Sequence, residues 1–188
     1  MIPLFTLMME IFVETERLIL REILPSDDDG MFELDSDPEV HKYLGRQVKS
    51  IEESRAIIAD IRKQYMDCGI GRWAMIEKTT NDFIGWTGLR LITIPRNNHS
   101  NYYDLGYRLI KRYWNRGFGT ESAIASVDFG FENLKLSEIY ATADMNNTGS
   151  RNVLSKAGLK YVETFNDEGY DCGWYKISRD EWILNQSF

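Results

Sequence analysis

Within residues 108–120, four cations (Arg108, Lys111, Arg112 and Arg116) precede Gly117 and Gly119, and an apolar run at helical spacing follows. Cations beside a glycine-bearing helix start are suited to holding an anion. The first turn of a helix carries amides without intrahelical acceptors and the positive end of the helix dipole. A residue without a Cβ lets a phosphate approach the backbone closely. Arg112 and Arg116 can add charge-assisted hydrogen bonds. The competing reading is an ordinary glycine turn beside a solvated basic loop.

The same segment nearly matches a dinucleotide fingerprint, Gly117-x-Gly119-x-x-Ser122, with Ser in the third glycine position. A nicotinamide-dependent oxidoreductase is therefore an alternative. Against it, Lys111, Arg112, Tyr113, Asn115 and Arg116 separate the preceding strand from Gly117, and no βαβ unit opens the chain. No P-loop and no Gly-x-Ser-x-Gly motif is present. His41, His99, Cys68 and Cys172 stand apart without metal-ligand spacing. The expectation is no metal, with both histidines on the surface or in caps.

The elements that must position this turn follow from the hydrophobic pattern. Residues 17–22 alternate as a strand does. Ser26, followed by three Asp residues, reads as the N-cap of a helix to about residue 35. Ser50 and Glu53 form a capping box for a helix that Gly69 ends near residue 68. Strand patterns cover 72–78, 83–94 and 102–109, with a turn at 80–82 and a polar loop at 95–101. A helix over 119–134 leads to a strand at 138–144, a short helix at 150–157, strands at 161–164 and 173–177, and a tail helix opened by the Ser178–Glu181 box. A helical crossover from 102–109 to 138–144 makes that strand pair parallel. The expectation is an α/β (α+β) domain spanning residues 1–188, with residues 1–9 as a possible extension and Met8 or Met9 as an alternative start.

The chain has 188 residues and a net charge of −7. Its hydrophobic fraction of 43% is that of a folded soluble domain rather than a disordered chain. An acidic protein is repelled by polyanions, so nucleic acid is not an expected partner. The apolar stretch over residues 1–13 is too short to span a bilayer and lacks a basic leader. With two scattered cysteines, the expected location is the cytoplasm and no membrane contact is expected. A homodimer is the default expectation for oligomeric state.

Three segments together resemble the GNAT family of acetyl-CoA-dependent N-acetyltransferases, in particular the branch that acetylates ribosomal-protein N-termini. They are Glu14-Thr15-Glu16-Arg17-Leu18-Ile19-Leu20-Arg21; Asp104-Leu105-Gly106-Tyr107-Arg108-Leu109 continued by Tyr113 through Glu121; and Asn147-Thr148-Gly149-Ser150 running to Leu159. Trp114 stands where the wider family has Gln or Arg, as it commonly does in this branch. The resemblance implies a mostly antiparallel sheet with one splayed parallel strand pair, flanked by helices. It implies acetyl-CoA as cofactor, with its pyrophosphate on the amides of Arg116, Gly117, Phe118, Gly119 and Thr120 and with Arg112 and Asn115 in the same loop. Its pantetheine arm would pair with the backbone at Tyr107, Arg108 and Leu109. Asn147 and Ser150 would orient that arm from the far strand, Asn147 being equally an N-cap.

Acetyl transfer to an amine needs a proton acceptor, donors for the thioester oxygen and a route for the leaving thiolate. Asp104 is the first candidate base and Glu121 the second. The competing readings are an exposed strand acid and a first-turn acid that complements the helix dipole. The oxygen's donors are expected in a bulge near Tyr107–Arg108. The family's acidic Tyr falls on Leu154 here, leaving Ser155 or water. The expected substrate is a primary amine, either a protein N-terminus or a small molecule. A non-catalytic acyl-CoA-binding module is the other reading that the missing Tyr motivates.

Overall fold

The computed structural model describes residues 10–186. The extension over residues 1–9 and the alternative starts lie outside them. The strands are β1 (Ile11–Glu14), β2 (Leu18–Glu22), β3 (Trp73–Glu77), β4 (Phe83–Ile92), β5 (Tyr102–Leu109), β6 (Glu138–Asp144), β7 (Lys160–Asp167) and β8 (Tyr170–Ser178). The helices are α1 (Asp28–Ser36), α2 (Ile51–Cys68), α3 (Phe118–Glu132), α4 (Thr148–Lys156) and α5 (Arg179–Asn185). The strands form one sheet in the order β1-β2-β3-β4-β5-β6-β8-β7. Every neighbouring pair is antiparallel except β5–β6, which is parallel across the α3 crossover. This mixed sheet is the expected fold class and differs from the parallel sheet of a dinucleotide-binding domain, so the oxidoreductase reading falls.

Alternation sets the faces. On β6, Ile139, Ala141 and Ala143 are buried, while Glu138, Tyr140, Thr142 and Asp144 point to the opposite face. The core gathers Leu18, Leu20, Trp73, Met75, Leu89 and Leu105 from the strands with Phe118, Val127 and Phe131 from α3. Each such side chain fully buried contributes about 1.5–3 kcal/mol. Ser50 caps α2 by accepting from the Glu53 amide at 3.3 Å, and Gly69 closes it at φ 68°. The reciprocal half of that box is redirected, because the Glu53 carboxylate accepts from the Lys49 amide at 3.1 Å. The Ser178–Glu181 box is complete.

Two local expectations change. Ser26 is not a cap. It lies in a 3-10 turn (Pro25–Asp27), and Asp27 takes over, accepting from the Leu24 amide at 2.7 Å and from both Arg21 terminal nitrogens at 2.7 and 2.8 Å. A buried Arg–carboxylate fork outweighs one hydroxyl cap. β1 is the second change. Its four residues gain strand form by pairing with β2, not from a pattern of their own.

Candidate active site

The site begins where the sheet stops being continuous. β4 and β5 stay in register from Ile92↔Tyr102 to Gly85↔Leu109. β5 and β6 share one partnered position, Asp104↔Tyr140. β6 then pairs along its length with β8. Residues 105–109 and 141–144 therefore diverge, with a gap between them. In a strand paired on one side, alternate N–H and C=O groups point away from that partner. Those of β5 beyond Asp104 face the gap. The expected bulge near Tyr107 and Arg108 is absent, since the β4–β5 register never shifts. Divergence, not a bulge, frees the backbone donors.

The anion turn lies at the carboxyl end of β5. Asn115 (φ 59°) and Gly117 (φ 85°) adopt left-handed conformations that reverse the chain into α3. Gly117 is the α3 N-cap and supplies no side-chain cap, and the first helical bond runs from the Glu121 amide to the Gly117 carbonyl at 3.0 Å. The amides before Glu121 thus lack intrahelical acceptors. Phe118 is buried and anchors the turn, with the Arg17 and Arg116 guanidinium carbons 4.5 and 4.9 Å from its ring centroid. Trp114 Nε1 donates to the Leu109 carbonyl at 2.8 Å, tying the loop to the strand end.

The four cations are less free than the sequence suggests. Arg108 pairs with Asp35 at 2.6 Å, Arg116 with Glu77 at 3.0 Å, Lys111 with Glu39 at 3.9 Å, and Arg112 with Glu33. Arg112 and Arg116 are bound to acids from α1 and β3 and serve first to seat the loop. The positive potential left at the turn is largely that of the helix end and its amides.

Across the gap, Asn147 Oδ1 caps α4 by accepting from the Ser150 amide at 3.0 Å. The Tyr107 hydroxyl donates to the Ser150 carbonyl at 2.8 Å and lies 3.0 Å from Ser150 Oγ. Burial holds the Tyr107 phenol well above its ordinary range, so it stays protonated. Thr120 is half-buried in the first turn of α3. Leu154 is buried in the core, whereas Ser155 is exposed. Ser155 lines a groove with Arg151, Lys160, Tyr161 and Tyr175.

The two candidate bases have different surroundings. Asp104 lies at the one partnered position of β5 and β6. Arg72 donates to its carboxylate and, at 2.7 Å, to its carbonyl, and also to the Gly88 carbonyl. Burial weakens the hold of the Arg72 guanidinium on its proton, and the Asp104 charge and hydrogen bond partly restore it. Arg72 engages one Asp104 oxygen, Oδ2. Glu121 is saturated instead. Its carboxylate accepts from Thr15 Oγ1 at 2.6 Å, from the Arg17 amide at 3.0 Å and from Arg17 Nε at 2.7 Å. Partial burial would raise its pKa, but the Thr15 and Arg17 hydrogen bonds and the Arg17 charge outweigh that and hold it below the ordinary Glu range. A carboxylate so stabilised is a poor base.

Arg72 was not singled out from the sequence, and it packs on the face that Asp104 shares with Trp86 and Arg108. Trp86 lies between two guanidinium groups, Arg72 at 5.4 Å and Arg108 at 5.1 Å from its ring. His41 is buried rather than exposed, with Nε2 3.3 Å from Arg108 Nη1 and 3.6 Å from Asp35. His99 stacks on Trp174 at 5.0 Å. Long-range pairing carries all of these, and short sequence motifs do not display it. Among the described residues no group of His, Cys, Asp and Glu could hold a metal ion, and no helix is long and apolar enough to cross a membrane.

Residues 17–160 match the family model of the acetyltransferase (GNAT) domain. The chain belongs to the GNAT acetyltransferase family. The chain is 31% identical over 172 residues to an uncharacterized N-acetyltransferase, YoaA, of Bacillus subtilis (strain 168), covering 88% of this chain and 95% of that one. It is 28% identical over 190 residues to the FsC-acetyl coenzyme A-N(2)-transacetylase of Aspergillus fumigatus, covering 93% and 79%. Among solved structures, a GNAT acetyltransferase from Bacillus anthracis superposes with a TM-score of 0.76 at 25% identity, covering 89% of this chain and 98% of that one. RimL, a ribosomal L7/L12 alpha-N-protein acetyltransferase in complex with coenzyme A, shares the fold with a TM-score of 0.76 at 17% identity, covering 92% and 99%.

GNAT enzymes use acetyl-CoA, and this chain's residues fit it. The uncapped start of α3 offers amides to a pyrophosphate. A Cβ at Gly119 would stand 3.5 Å from Leu109 Cδ1, so the first turn lies close to the end of β5. The unpaired edges of β5 and β6 offer the arm a backbone ladder.

Proposed function

We propose that the protein transfers the acetyl group of acetyl-CoA to a primary amine by direct attack in a ternary complex. The observation that carries this reading is the gap between β5 and β6, which opens at Asp104 and runs toward the anion turn at Gly117. Bound acetyl-CoA would supply the activated acyl group. Arg116 to Thr120 would hold its pyrophosphate through their amides, and Tyr107 to Leu109 its arm through the β5 backbone. β5 amides facing the gap would bond the carbonyl oxygen more strongly as it gains charge. Asn147 and Ser150 would line the far side.

Asp104 takes the amine proton. It lies beside the gap, and Arg72 holds its Oδ2 while Oδ1 is left for an ammonium group. Glu121 is assigned to the turn rather than to proton transfer. The fold neighbour RimL is an alpha-N-protein acetyltransferase and the Aspergillus relative an N(2)-transacetylase. These names support a primary amine, on a protein N-terminus or a small molecule, as the class to screen. The test is release of free thiol from acetyl-CoA in the presence of N-terminal peptides and of small amines. Acceptor-dependent release that Asp104→Asn abolishes supports the assignment. Tight acetyl-CoA binding without release on any amine favours a non-catalytic acyl-CoA-binding module.

A further inference from the structure

We infer that Arg17 and Glu121 form a brace that sets the shape of the pyrophosphate turn before the cofactor arrives. Resting on the acetyl-CoA reading above, this makes Arg17 a positioning residue for cofactor binding. Arg17 reaches the turn from the β1–β2 connection. Its Nη1 donates to the Arg116 carbonyl at 2.9 Å, and its Nη2 lies 2.6 Å from Glu121 Oε2. The same guanidinium covers the Phe118 ring. Thr15 Oγ1 donates to Glu121 while accepting from the Leu18 amide at 2.9 Å, so the brace is fastened to the start of β2.

A trans peptide points its C=O and N–H in opposite directions. Holding the Arg116 carbonyl toward Arg17 therefore fixes the Gly117 N–H away from Arg17. Glu121 secures the first turn of α3 through its side chain while its own amide closes on the Gly117 carbonyl. Residues 116–121 are thus clamped at both ends, and a Cβ on Gly117 would meet Arg17 Nη2 at 3.2 Å. A left-handed turn at a glycine has many conformations to lose. Losing them on folding rather than on binding favours affinity.

Arg17→Ala, Glu121→Ala, the double variant and Arg17→Lys test this. Calorimetry gives coenzyme A affinity, NMR titration gives pantetheine affinity as a probe without pyrophosphate, and hydrogen exchange follows the amides of residues 117–121 without ligand. The expected result is a roughly tenfold loss of coenzyme A affinity in each Ala variant, no greater loss in the double variant because the pair acts as one unit, partial rescue by Lys, faster exchange, and unchanged pantetheine binding. Wild-type coenzyme A affinity in both Ala variants, or equal losses for coenzyme A and pantetheine, overturns the brace. A wild-type protein that binds no coenzyme A overturns the cofactor reading and the brace with it.

Discussion

Arg72 holds Asp104 by both its carboxylate and its carbonyl, at the one position where β5 and β6 are partnered. The pair is buried, with side chains 10% and 13% exposed. Removing one partner of such a pair leaves a charge without compensation, at a cost of about 3–5 kcal/mol in the buried limit. Asp104→Asn is therefore expected to lower the melting temperature as well as activity. Loss of a general base lowers kcat by about 10²–10⁴-fold. Steady-state kinetics across pH separates the two effects. A flattened acid limb marks lost proton transfer, and an unchanged profile with lower amplitude marks damage to the fold alone.

Gly106→Ala probes the same pair from the other side. A Cβ at residue 106 would lie 2.6 Å from Arg72 Nη2, so the guanidinium must move. The crowded Nη2 is the nitrogen that holds Asp104 Oδ2, so that bond is the one disturbed. The expected outcome is reduced kcat with little change in the KM for acetyl-CoA, since the anion turn is untouched.

Gly117→Ala and Gly119→Ala are expected to fail in different ways. Residue 117 has φ 85°, where a side chain costs about 1–2 kcal/mol. Residue 119 has room for a methyl group, whose nearest neighbour would be Leu109 Cδ1 at 3.5 Å. Gly117→Ala should lower the melting temperature without ligand. Gly119→Ala should melt like wild type yet lose most of the stabilisation that coenzyme A confers, because the methyl stands in the first turn of α3 between Leu109 and Val153. Thermal melts with and without coenzyme A distinguish them.

Ser155→Ala is expected to leave kcat and its pH profile unchanged, because Ser155 faces the groove beyond α4. A fall in kcat with an unchanged melting temperature would restore it as a proton donor.

The α5 cap gives a pH signature far from the site. The Lys160 hydrogen bond, with the Ser178 amide, holds the Glu181 carboxyl down to about 2, against an ordinary value of 4.5. A depressed folded-state pKa means that its stabilisation is complete above 4.5 and is lost as the pH falls toward about 2. The melting-temperature gap between wild type and Glu181→Gln should therefore hold at neutral pH and close across that acidic window. Ser178→Ala should cost about 1 kcal/mol, or roughly 2–4 °C for a chain of this size.

The parts of this architecture readable from sequence were those fixed by neighbours along the chain. β5, the Gly117–Gly119 turn, α3 and β6 all follow from local pattern, as does their parallel pairing. Asn147 was readable as a cap because its partner is three residues away. The partners of the cations were not readable. Glu33, Asp35 and Glu77 lie far from Arg112, Arg108 and Arg116 in sequence, and only folding brings them together. The same distance hid Arg72 behind Asp104 and Arg17 behind Glu121. Ser26 misled because a stronger ion pair won locally.

With one partnered position between β5 and β6, the eight strands divide into a panel of five and a panel of three that share a single ladder position. Along the rest of that seam neither panel has a neighbour to bond. A pantetheine arm laid there would carry the amide groups that a missing strand would carry. The cofactor would then act as a temporary ninth strand, and each turnover would remove and replace a structural member of the sheet.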